Sequence, residues 1–195
     1  LSDENKDNMI SQTIEAANNQ EEGSITDELD LTNIIAEIIT SADNETAGSL
    51  LQAINNNTQN DDSKLSLNIV NNLTKQENYE EKLEILSISS STADSNITKL
   101  IEKSVDSASS NEEINLVIDI IINSKGTIAD KMINTANYNQ ESKKKVTSII
   151  VELVDKNPEK AIEIISKNQN NTITEEIKSK IENGEAITSE DFDDV

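Results

Sequence analysis

VTSIIVELVDKNPEKAIEII, residues 146–165, is the stretch whose reading decides the fold. Ile149, Ile150, Leu153 and Val154 fall at helical spacing, so one helix buries one aliphatic stripe. Asn157-Pro158-Glu159 then stops that helix and starts another. Asn157 is a good N-cap, and Pro158 sits at the first helical position, where its missing amide costs nothing. The second helix carries Ala161 and the pair Ile164–Ile165.

The same pattern recurs upstream. Residues 31–51 read LTNIIAEIITSADNETAGSLL, and with one gap Ile34–Ile35 match Ile149–Ile150. Glu37 matches Glu152, Ala47 matches Ala161, and Leu50–Leu51 match Ile164–Ile165. A third copy runs from Leu116, with Val117, Asp119, Ala129 and Met132–Ile133 in the same places. A fourth, from Ile97, repeats the first half and the helix break. Self-similarity of this kind points to a repeat architecture, in which each unit buries its apolar face against its neighbours.

Other stripes agree with this reading. Ile114, Val117, Ile118 and Ile121 lie at i, i+3, i+4 and i+7, and Ile97, Leu100, Ile101 and Val105 lie close to it. Only Ile118–Ile122 offers competing β propensity, and the helical register around it favours helix. Ser110–Glu113 and Thr172–Glu175 have the spacing of capping boxes, with Thr127–Asp130 and Asn78–Glu81 as weaker versions. Gly126 and Gly184 sit where helices should stop.

These signals predict helices near 4–18, 27–41, 45–56, 62–75, 79–89, 95–107, 111–124, 128–137, 140–155, 158–168 and 173–183. The expected fold is all-α, an α-solenoid made of a superhelical stack of about ten to eleven short antiparallel helices, because short connections place neighbours side by side. Residues 1–24 read as an N-terminal helix and acidic linker, with the linker itself at 20–24. Residues 25–184 read as the repeat domain, and 185–195 as an acidic tail or the start of a further repeat, since Thr188–Asp191 resembles another cap.

Composition narrows the function. The 195 residues hold 29 Ile and 13 Leu against one Phe and two Tyr, so the core is thin aliphatic layers. The net charge is −22, and all 16 basic residues are Lys. An acidic surface without Arg disfavours phosphate backbones and anionic membranes, so no nucleic acid partner is expected. No apolar run approaches a membrane span. The absence of Cys and His removes thiolate chemistry, the commonest general base and the usual transition-metal ligands. Much Ile, Asn and Lys with no Arg is the footprint of an AT-rich genome, as in many bacteria. It also makes the Asn-x-Ser/Thr triplets at Asn44, Asn72, Asn96 and Asn170 chance products rather than glycosylation sites.

The segment 146–165 resembles the helical repeats of the FliG and MgtE N-terminal superhelix, where a helix ends at a short Asn-Pro-Glu turn and the next begins with Ala and two aliphatics. More generally the chain is similar to HEAT and armadillo repeats over residues 27–183. The resemblance implies a solenoid that binds proteins. It does not carry over a magnesium channel or a flagellar context, because no membrane segment or family-specific site is present.

No catalytic, cofactor or metal site is expected. A Ser–Lys dyad at Ser142 and Lys143–Lys145 fails because adjacent helical residues do not face each other. Asp61–Asp62 and Asp191–Asp194 lack the spacing and glycine turn of a calcium loop and read as solvated acidic loops. Candidate interaction residues are the one basic run, Lys143, Lys144 and Lys145, and the three aromatics, Tyr79, Tyr138 and Phe192. The leading expectation is a non-enzymatic interaction or scaffold module with a protein partner. Alternatives are a structural spacer block of a longer surface or secreted repeat protein and, less favoured, an acidic mimic of nucleic acid.

Overall fold

The computed structural model describes the backbone of residues 25–58, 64–124, 126–134, 139–167 and 175–192, and the side chains of these apart from 25–30 and 165–167. Among the described residues every regular element is helical. The order is α1 (Ile25–Ser41), α2 (Asn44–Asn57), α3 (Leu65–Leu73), α4 (Tyr79–Ser89), α5 (Ser91–Ser107), α6 (Asn111–Asn123), α7 (Thr127–Ile133), α8 (Gln140–Lys156), α9 (Pro158–Lys167), α10 (Glu175–Glu182) and a 3₁₀ turn (Ser189–Phe192). The chain is therefore all-α. The expected helix at 4–18, the linker at 20–24 and the Thr172 end of the second capping box lie outside the described residues.

The helices form two compact units, divided between Ser107 and Ala108, inside the stretch that periodicity reads as one repeat domain. In the first unit α1 packs on α2 and α3, and α5 packs on α2, α3 and α4. In the second, α8 packs on α6, α7 and α9, and α9 also packs on α7 and α10. Each core is aliphatic. Ile35, Leu51, Ile54, Leu67, Leu86 and Ile97 are buried in the first, and Val117, Ile121, Ile150 and Leu153 in the second. The Ile-rich run at 118–122 is helical, as its register demands.

Local chemistry explains most boundaries. Ser110 and Glu113 form a reciprocal capping box at the start of α6. Asn157 Oδ1 accepts the Lys160 amide at 3.0 Å at the start of α9. After α10, Gly184 takes φ 69°. Its amide donates to Ile181 O at 3.0 Å and the Glu185 amide donates to Lys180 O at 2.8 Å, which closes the helix in a Schellman motif.

Several expected boundaries are corrected. Asn78 does not cap α4 through its side chain: its backbone is left-handed at φ 59°, not the extended conformation of a side-chain cap, and its carboxamide makes no cap hydrogen bond. Thr127 is not an N-cap either. Gly126 occupies that place at φ 107°, and Thr127 is the first helical residue of α7. Helix α5 begins at Ser91 rather than 95, because Ser90 alone joins it to α4 and accepts the Ala93 amide. Helix α3 is shorter than 62–75, and α7 ends at Ile133 with Asn134 as C-cap.

Two further devices bind the helices together. Buried amides cross between elements: Asn72 on α3 donates to Thr32 Oγ1 on α1 at 2.8 Å, and Asn55 on α2 donates to Asn96 O on α5 at 2.8 Å. The buried, bonded Asn72 and Asn96 side chains leave no room for a glycan in the folded chain. Asn170 lies outside the described residues.

The second device uses lysine. Helices α1 to α6 have no basic residue in their own last turns, where a cation would complement the helix dipole. A lysine three helices further on fills that role repeatedly. Lys82 of α4 donates to Ala42 O, just past α1, at 2.6 Å. Lys103 of α5 donates to Asn55 O in the last turn of α2 at 2.7 Å, and to Thr58 Oγ1 at 3.0 Å. Lys160 of α9 donates to Ser124 O at the end of α6 at 3.1 Å. In an acidic chain these scarce cations close helix ends.

Candidate interaction surface

The sequence-derived candidates occupy different settings. Tyr79 opens α4 with its ring only 7% exposed, so it is part of the first core. Tyr138 lies outside the described residues. Lys143, Lys144 and Lys145 lie in the first turns of α8, with Lys144 exposed and its two neighbours half-buried. Successive helical residues project about 100° apart, so the three do not make one cationic patch. Before them Asn139 Oδ1 accepts both the amide and the hydroxyl of Ser142. That hydroxyl is thereby committed to the cap.

Phe192 corrects an expectation. It is not an anchor offered from an acidic tail, because its ring is 6% exposed and its 3₁₀ turn packs on α8. Ile187 is buried beside it in sequence, so residues 185–192 complete the second core rather than trail from it. Asp191 holds the turn: its carboxylate pairs with Lys180 Nζ and accepts the Thr188 amide at 2.8 Å. The Lys180 and Thr188 hydrogen bonds hold the Asp191 carboxyl below the ordinary carboxylate range. The hydrogen bond that Lys180 donates to Asp191 raises the Lys180 ammonium in turn. The Asp191 side of the expected acidic cluster is thus spent on structure. Asp61–Asp62 lies outside the described residues. Among the described residues no group of carboxylates could hold a metal ion.

The surface that sequence reading passed over is on α4. Its buried side is Tyr79, Leu83 and Leu86, at i, i+4 and i+7. Its outer side is Glu81, Glu84, Ile85 and Ile88, at i, i+3, i+4 and i+7, and all four are exposed. Ile88 is 81% exposed and Ile85 43%. Ile34 on α1 is the other large exposed apolar side chain of the described residues, and its repeat equivalent Ile149 is buried. The acids beside Ile85 and Ile88 are uncompensated: among the described residues no lysine pairs with Glu81 or Glu84. The one lysine of α4, Lys82, is turned to the end of α1. The signal was available, because the apolar residues of α4 fall into two opposed stripes rather than one.

No helix among the described residues is long and apolar enough to cross a membrane. No family model, curated protein or solved structure matches the chain.

Proposed function

We propose that the chain is a non-enzymatic helical-repeat module that binds a protein partner, and that its helices stack in the manner of an α-solenoid. The observation that carries the reading is the outer stripe of α4. A helix whose opposite side, Tyr79, Leu83 and Leu86, is buried in the core presents two isoleucines one turn apart to solvent. Exposed apolar side chains grouped on one element, rather than scattered singly, mark interaction surfaces. Packing of alternate helices, α1 on α3 on α5 and α6 on α8 with α7 on α9, supports the stacked arrangement. The resemblance of 146–165 to FliG- and MgtE-type repeats supports it as well, and a residue set without His or Cys supports the non-enzymatic part of the reading.

The test is native co-purification of the full chain from its source cells, followed by reconstitution with each purified candidate. A binary complex with a micromolar or tighter Kd is expected. A folded chain that forms no reconstituted complex with any co-purifying protein would remove the reading.

A further inference from the structure

We propose that the outer stripe of α4 is the docking site for a basic amphipathic helix of a partner protein. The inference rests on the interaction reading above and gives it a place and a chemistry. A helix laid along α4 would set aliphatic side chains against Ile85 and Ile88 and lysine or arginine against Glu81 and Glu84, the helix-on-helix form of recognition. Charge selects among the occupants. A second copy of this chain laid antiparallel along α4 would set Glu81 and Glu84 against its isoleucines with no counter-charge, and would bring together two molecules of net charge −22. An acidic or neutral helix would leave both carboxylates beside apolar surface without a counter-charge. A cationic helix satisfies the isoleucines and the acids together, and the field of the whole chain speeds its approach.

The experiment is an NMR titration of the full chain with a synthetic amphipathic peptide of about 18 residues, or five helical turns, built of Leu and Lys. A Ser/Lys peptide of equal charge and a Leu/Glu peptide of equal shape are the comparisons. The Leu/Lys peptide should shift the amides of α4 and the methyls of Ile85 and Ile88. The double variant Ile85→Ser/Ile88→Ser should weaken its binding roughly tenfold to a hundredfold. Both side chains are exposed, so an unchanged circular dichroism melt is expected and serves as the fold control. Should that variant melt early, Glu84→Lys keeps the isoleucines and should shift preference from the Leu/Lys toward the Leu/Glu peptide.

Shifts centred on another face, or binding by both variants within twofold of the parent, would overturn the α4 assignment while leaving the wider interaction reading standing. Equal binding of the Ser/Lys and Leu/Lys peptides would reduce the surface to general charge attraction and overturn it too. Failure of the wider reading would show separately, as the absence of any reconstituted native complex.

Discussion

Replacing Lys103 with Met removes a cation while keeping most of the apolar stem. Lys103 Nζ closes the end of α2 through two hydrogen bonds, to Asn55 O at 2.7 Å and Thr58 Oγ1 at 3.0 Å. Thr58 is buried, and the side chain of Asn55 is buried too. Water therefore has limited access to what the lysine leaves behind. A hydrogen bond to a charged group contributes about 1.5–3 kcal/mol net, and the helix-end charge effect adds about 0.3–1 kcal/mol. Release of the lysine's rotamer freedom gives back roughly 1 kcal/mol. The Thr58 hydroxyl retains its bond to Ile54 O, so only one acceptor of the two is fully orphaned. The expected net loss is about 2 kcal/mol.

The matched control is Lys99→Met on the same helix α5. Lys99 is exposed, and its loss changes net charge by the same amount. That comparison separates the local cap from the general repulsion of an acidic chain. Urea denaturation of the full chain, followed by circular dichroism and fitted for two units, is the assay. Lys103→Met should lower the first unit's stability by about 2 kcal/mol, a fall in Tm of roughly 10 °C, with Lys99→Met within about 0.5 kcal/mol of the parent. If the two variants melted together, the lysine caps would be ornaments of the surface and the reasoning would fail.

Other perturbations have equally definite outcomes. Ile150→Asp places a charge at a position 1% exposed, so it should cost several kcal/mol and abolish the second unit's cooperative melt in calorimetry. Asn72→Ala removes the buried 2.8 Å hydrogen bond to Thr32 Oγ1 and the 3.2 Å bond accepted from Lys75 Nζ, and should cost about 1–3 kcal/mol by urea denaturation. Because the folded Asp191 carboxyl titrates below its ordinary range, the stability it adds is fully present above that range and is lost as pH falls from there through the lowered folded value. Asp191→Asn should therefore loosen the Phe192 turn near neutral pH, seen as faster proteolysis beyond α10, and should match the parent in strong acid. Lys180, raised in the folded state, sets the opposite edge: its share is present below its ordinary range and is lost as pH climbs through the raised value.

Much of the fold was legible because it depends on local chemistry. The stripes at 97–105, 114–121 and 149–154, the Ser110–Glu113 box, the Asn157 cap and the Gly184 stop all rest on residues within a turn or two of each other. The sequence misled where backbone conformation overruled side-chain type. Asn78 and Gly126 sit at positive φ, so the expected caps at Asn78 and Thr127 did not form. It also misled where burial depends on distant partners. Nothing within 185–195 says that Phe192 is covered; the Lys180–Asp191 pair and the face of α8 decide it. The α4 surface was readable in principle. Glu81, Glu84, Ile85 and Ile88 share one face, but a search for a single core stripe absorbs both isoleucines into the interior.

The lysine closures set a timetable for the growing chain. Ala42 waits for a residue 40 positions later, Asn55 and Thr58 for one 48 and 45 later, and Ser124 for one 36 later. At about 5–20 residues per second of synthesis, each of these helix ends stays open for seconds after it has emerged. A ribosome pausing between α2 and α5 would hold a nascent segment whose helices are wound but whose ends can still fray. Codon usage across residues 58–103 is therefore a lever on how cleanly the first unit folds.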